Sequence, residues 1–305
     1  MRGIVVALLR GGPSHEHERS LRTGHALMNA LSRERYTVRD IFIDRDGVWH
    51  ERGLRTTPAN VLPGCDVAVI ALHGVYGEDG TVQRILEQFG IPYTGSDSFA
   101  SFQALHKVIA REKARAAGLN VPRYQFIERP EDAERIAHEA VRTYPQPVVV
   151  RPVRWGSSAG MTTPAGFQPV HQAVTGLFAE GAEGALIEEN VRGGRVSVGI
   201  IENMRGESLY VLPAIGTNHA PARLSKHIQD ELQALAKRMH QELSLSQYSS
   251  SAFVISPKGI IYLHTDPLPG LYRDADMPQA LAAVGIRPDE FAAHIIALAL
   301  EGRKR

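Results

Sequence analysis

The residues best suited by type and spacing to do chemistry fall in four clusters. The first is Gly11-Gly12-Pro13-Ser14-His15-Glu16-His17-Glu18-Arg19-Ser20. A glycine turn from a strand into a helix leaves backbone N–H groups free to hold an anion. Glu16, beside the positive end of that helix, stays ionised and can take a substrate ammonium. An ordinary helix start with acidic residues explains the same segment equally well. The second cluster, Leu72-His73-Gly74-Val75-Tyr76-Gly77-Glu78-Asp79-Gly80-Thr81, puts His73 at the end of an apolar run, with glycines that let the backbone turn closely around a ligand. The plainer reading is a structural histidine followed by capping carboxylates. The third, Gly156-Ser157-Ser158-Ala159-Gly160, has the small residues and hydroxyls of a mobile lid over phosphates, with Arg151 and Arg154 just before it. A surface hairpin is its alternative. In the fourth, Tyr262-Leu263-His264-Thr265-Asp266, residues two apart on a strand share a face, so His264 and Asp266 form a candidate metal pair. An imidazole with one carboxylate suits a transition metal better than magnesium, which prefers hard oxygens. The neighbouring Ser250, Ser251 and Ala252 add no carboxylate.

These clusters need a scaffold, and the hydrophobic pattern supplies an α/β one. Apolar runs at 4–9 and 67–72 read as buried strands, with another strand near 37–43. Helical spacing at 16–31 and 80–88 falls among them. Such alternation predicts a parallel sheet with right-handed crossovers and ligands at the carboxyl ends of its strands. Helices follow at 99–105 and 107–117, then strands at 124–127 and 148–151 around a helix at 130–143. Residues 151–161 read as a strand, a Gly/Ser loop and a returning strand. Strands at 185–188, 195–202 and 208–213, a long helix at 225–243, a strand pair at 251–256 and 259–265, and helices at 277–284 and 289–300 complete the pattern. The expected division is 1–95, 96–183 and 184–305.

The 305 residues, 43% hydrophobic and 22% charged, have ordinary globular composition and enough length for two or three lobes. A formal net charge of +1 argues against a nucleic-acid partner, which calls for a basic excess. The basic end Arg303-Lys304-Arg305 reads as a solvated tail. A single cysteine, Cys65, excludes an internal disulfide and a Cys-rich zinc site. The run at 4–9 is too short for a signal peptide or a membrane span. The expectation is a cytoplasmic protein with no membrane partner.

Taken in order, the segments GGPSHEHERS, ALHGVYGEDGTVQRILEQFGIPYTGS, HKVIAREKARAAGLNVP, VVVRPVRWGSSAGM, LIEENVRG and YLHTDPLPG resemble the D-alanine–D-alanine ligase family of ATP-grasp enzymes, nearly end to end. The resemblance implies a three-lobed ATP-grasp fold with an N-terminal Rossmann-like substrate domain, a central subdomain carrying the lid and a C-terminal subdomain. It implies ATP as cofactor, magnesium or manganese as metal, D-alanine or a related amino acid as ligand, and a homodimer. By that resemblance Glu16 holds a substrate ammonium, His73 is the strand-end histidine, Lys107 and Arg151 meet ATP phosphates, Ser157 and Ser158 are lid serines, Glu188 opens the adenine linker, and His264 and Asp266 stand at metal positions. Several positions depart from the family pattern. Arg195 replaces a ribose-binding glutamate, Ser250 an arginine, Ala252 a metal aspartate, His264 a bridging glutamate and Asp266 an asparagine. The segment between Pro213 and Pro221 is shorter than the family's closing loop. The expectation is therefore a ligase-like protein with an impaired or inactive site and a binding or regulatory role, against an active carboxylate–amine ligase of peptidoglycan precursor synthesis with a rebuilt metal site.

Overall fold

The computed structural model describes residues 3–31, 35–156 and 159–302. The first apolar run becomes β1 (Ile4–Gly11), the fourth strand of a five-stranded sheet ordered β4-β3-β2-β1-β5. β2 (Tyr36–Ile43) and β5 (Val67–Ile70) flank β1 and run parallel to it. Both faces of β1 are covered, which is why it reads as a continuous apolar run. A short hairpin of β3 (Trp49–Glu51) and β4 (Leu54–Thr56), not foreseen from the sequence, extends the edge antiparallel. α1 (His17–Ala30) packs on β1, the short α2 (Pro58–Val61) precedes β5, and α3 (Thr81–Gln88) follows it. Gly11 has φ +91°, and a Cβ there would lie 2.2 Å from the Ile43 carbonyl oxygen, so the turn into the first cluster requires glycine.

α4 (Ser98–Leu105) and α5 (Lys107–Ala116) then cross to the last part of the molecule, where Ala104, Ala110 and Ala114 join its core. A central antiparallel sheet, ordered β6-β8-β7, consists of β6 (Tyr124–Ile127), β7 (Val149–Pro152) and β8 (Ala185–Glu188). α6 (Ala133–Thr143) and α7 (Phe167–Ala179) back it. β8 is thus the middle strand of the central sheet, although it lies beyond the division expected at 183. The returning strand expected near 161 reduces to one bridge, in which Val150 and Thr162 exchange backbone hydrogen bonds of 2.9 and 2.8 Å. Ser157, Ser158 and the basic end 303–305 lie outside the described residues.

The last sheet is antiparallel, ordered β10-β9-β12-β13, with β9 (Gly194–Met204), β10 (Glu207–Val211), β12 (Tyr248–Ser256) and β13 (Gly259–Asp266). β11 (Ile215–Gly216) adds to β9, and α8 (Lys226–Glu242) covers one face. A bulge between Ala252 and Phe253 shifts the β12–β13 register next to the fourth cluster. α9 (Asp276–Ala283) and α10 (Pro288–Gly302) end the described chain. α10 returns to the first lobe, where Phe291 and Ile295 are buried in the same core as Leu8 and Leu27. No helix among the described residues is long and apolar enough to cross a membrane.

Candidate functional site

All three parts of the chain meet at one cleft, where a small cavity is lined by Glu78, Lys107, Trp155, Gly156, His264 and Asp266. Glu16 stands at the start of α1 and reaches across it. Its Oε2 lies where a Cβ on Gly156 would be, 1.6 Å from that ideal position, so Gly156 must lack a side chain for the carboxylate to fit. The His15 ring packs on Trp155 at a tilt of 34° with centroids 4.1 Å apart, and Lys107 Nζ donates to the Trp155 carbonyl at 2.6 Å. The chain leading into the third cluster is therefore held down on the first.

Arg19, one helical turn past Glu16, pairs with Glu16 Oε1 at 2.9 Å and with Asp266 Oδ2 at 3.5 Å, its side chain one-fifth exposed. Burial alone would depress its guanidinium, but the Asp266 and Glu16 carboxylates outweigh this and hold it cationic. Burial raises Glu16 above the usual carboxylate range, and Arg19 only partly offsets that.

His73 is wholly buried. Its Nε2 lies 2.8 Å from Thr23 Oγ1 and its Nδ1 3.3 Å from Glu78 Oε1. Burial, then the nearby Arg19 charge, push the imidazole down to about 3. Burial, then the Asp266 charge, push Glu78 up to about 8. Burial thus disfavours the charged form of both groups where they face each other. A neutral imidazole flanked by two partners is an oriented group, not a ready proton acceptor.

On the opposite wall, α5 carries Lys107 and Arg111, β7 carries Arg151, and β8 carries Glu188, all buried. Arg111 Nη1 pairs with Glu188 Oε1 at 2.8 Å. Burial raises the Glu188 carboxyl, but Arg111 and Arg151 outweigh it and hold it below its ordinary value. Desolvation and the Arg151 charge lower Lys107 to about 7, and desolvation lowers Arg151 to about 10. This wall itself carries one carboxylate among three bases, with Asp266 acting on Lys107 and Arg151 from β13, which leaves the wall short of negative charge. That is the electrostatic setting a phosphate needs.

The fourth cluster lies in a neighbouring cavity of about 180 Å³, lined among others by Arg19, Arg195, Ser250, Ala252, His264 and Asp266. Ala252 pairs directly with His264, and Ser250 with Asp266, across β12 and β13. The shared face expected for His264 and Asp266 is present, with His264 Nε2 3.8 Å from Asp266 Oδ1. Burial, then Arg195, Arg151, Lys107 and Arg111, drive the His264 imidazole well below its ordinary value.

This set does not fit magnesium. The ion prefers carboxylate oxygens. Here one position is a methyl group, one an imidazole among cations, and the remaining carboxylate is held by Arg19. Among the described residues no three His, Cys, Asp or Glu side chains gather as a metal site would need. The structure therefore brings Glu16, His73, Lys107, Arg151, Glu188, His264 and Asp266 to one cleft. Arg19 and Arg111 were not singled out from the sequence. Their signals were the i, i+3 step from Glu16 and the i, i+4 step from Lys107.

A first sheet with a parallel core, followed by two antiparallel α/β units that clasp a cleft between them, is the ATP-grasp fold. Solved structures share it over nearly the whole chain. The D-alanine-D-alanine ligase from Coxiella burnetii superposes with TM-score 0.87 at 20% identity, covering 100% of this chain and 96% of that one. The D-alanine–D-alanine ligase from Bacillus anthracis complexed with ATP gives 0.82 at 23%, covering 99% of each. At that identity the likeness is one of fold. Sequence goes further. Residues 114–297 match the D-ala D-ala ligase C-terminus family, and residues 5–60 and 53–96 match the D-ala D-ala ligase N-terminus family. A D-alanine–D-alanine ligase of Syntrophobacter fumaroxidans is 33% identical over 98% of each chain, and one of Geotalea uraniireducens 32% identical over 96% of this chain and 95% of its own. The chain belongs to the D-alanine–D-alanine ligase family.

Proposed function

We propose that this chain is a non-ligating member of its family, which holds a nucleotide or a small amino acid in the cleft without joining two amino acids. The observation that carries this reading is Arg19. The resemblance gives Glu16 to a substrate ammonium and Asp266 to a metal, yet a single internal guanidinium already pairs with both. A substrate ammonium would have to compete with a cation fixed on the same helix turn. Ala252 and His264 add to the argument, because the positions that would neutralise a phosphorylated intermediate carry no hard anionic ligand. Loss of one preorganised stabilising donor costs roughly 100- to 1000-fold in turnover, and several are altered together here.

The test is phosphate release by the purified protein with ATP, magnesium or manganese, and D-alanine, beside the Syntrophobacter fumaroxidans ligase as control. The expected result is no D-alanine-dependent release above background from folded protein. The second reading, an active ATP-dependent carboxylate–amine ligase, is favoured by identity of 33% along nearly the full length of a relative that bears the ligase name. D-alanine-dependent release with dipeptide formed would establish that reading and end the first.

A further inference from the structure

We infer that the cavity beside β13 is a metal-independent anion site, in which Arg195 and His264 take a phosphate or pyrophosphate group directly, where a ligase would place metal. The inference rests on the reading of this cleft as one without magnesium. Three observations converge on it. The first is that the cavity's acids are already engaged. Asp266 pairs with Arg19, and Asp274 with Arg22 at 3.2 Å. Asp276 accepts from Ser197 Oγ at 2.7 Å, with His219 Nδ1 also 2.7 Å away. The second is that the side chain of Arg195, an exposed residue that lines the same cavity, makes no hydrogen bond or ion pair among the described residues. A guanidinium presents five donors in a planar fork matched to phosphate oxygens. The third is that His264 Nδ1 is buried and has no hydrogen-bond partner among the described residues, in a side chain only 8% exposed. A buried polar atom of this kind is costly unless something completes it.

The cavity also has the right scale and surroundings. Its volume of about 180 Å³ exceeds several times the roughly 30 Å³ that a water occupies in the liquid, which leaves room for a tetrahedral anion with some hydration. Behind it, Lys107 shares the adjoining cavity with His264 and Asp266. Arg195 and His264 sit on the same face of one antiparallel sheet, on β9 and β13 with β12 between them, so their places are set by backbone pairing, not by a mobile loop. Magnesium bridges phosphate oxygens by supplying positive charge. Here the Arg195 guanidinium and the His264 ring are fixed donors in place of that charge, while the lining carboxylates are engaged by Arg19, Arg22, Ser197 and His219.

The experiment is isothermal titration of the full chain with sodium pyrophosphate, once in EDTA and once in magnesium, repeated for Arg195→Ala and for Arg192→Ala, an exposed arginine outside the cavity. The expected result is binding in EDTA at least as tight as in magnesium. Arg195→Ala should weaken it about tenfold, the loss of one charge-assisted contact, and Arg192→Ala should leave it unchanged. Binding that is weaker in EDTA overturns the inference. So does an absence of heat from folded protein in both buffers, or an equal effect of the two arginine substitutions. A parallel titration with ADP separates the sources of the phosphate: tighter binding than pyrophosphate identifies a nucleotide, equal or weaker binding a free anion. Magnesium-dependent binding without D-alanine-dependent turnover would sink this inference alone. Turnover would sink the non-ligating reading, whatever EDTA does.

Discussion

Glu78 shows how much one buried carboxyl governs the pH response of the cleft. Its folded value near 8 lies above the ordinary 4.5. The stabilising protonated form is therefore fully present below about pH 4.5 and is lost as pH rises towards 8. Between about pH 5 and about pH 7, wild type should lose roughly 2–3 kcal/mol relative to Glu78→Gln, measured by urea denaturation of both proteins. Lys107 acts in the opposite sense, because its folded value is depressed to about 7, so its contribution to stability grows only above that pH. Glu188 makes a second prediction. It pairs with Arg111 and lies beside Arg151 and Lys107, and Glu188→Ala removes that carboxylate from all three bases. The variant should be destabilised by about 3–5 kcal/mol in the same assay. Little of this was legible in the sequence. Glu78 beside Asp79 reads as helix capping, and Asp79 alone fills that role by accepting from Thr81 N at 2.8 Å. What raises Glu78 is burial and then the Asp266 charge, both set only by the fold, and no spacing along the chain encodes that.

At the scale of elements, a cap is the cleanest case. Asp97 Oδ1 accepts from Ala100 N at 2.8 Å at the start of α4, so Asp97→Ala should cost about 1 kcal/mol, read as a shift in urea midpoint. Strands buried on both faces, such as β1 and β5, were readable because their partners impose an unbroken apolar run. α8 was readable because Leu232, Ala236 and Met239 recur at helical spacing on one buried face. α7 was not foreseen, since Gly166, Pro169 and Gly176 punctuate it like a loop, yet Val170, Val174 and Leu177 fill the central core. β8 was found, but its place was not. A buried strand records that it has neighbours and not which ones, and the partners of β8 lie on β6 and β7.

At the scale of the molecule, the lobes are not consecutive stretches of chain. α4 and α5 belong to the last core, and α10 belongs to the first. Ile295→Ala should therefore weaken the first lobe, by about 2–5 kcal/mol. The two tryptophans allow this to be read locally. Trp49 is buried in the first core and Trp155 in the central one. With Trp155→Phe, the Trp49 emission should report an earlier unfolding midpoint for Ile295→Ala. With Trp49→Phe, the Trp155 emission should report a smaller change. The return of α10 also sets an order in time. During synthesis β1, α1 and β5 leave the ribosome early, while the helix that covers them follows on the order of tens of seconds later. For that interval the apolar surface of β5 and α1 stays open to water or to a chaperone, and the earliest lobe to be made is the last to close.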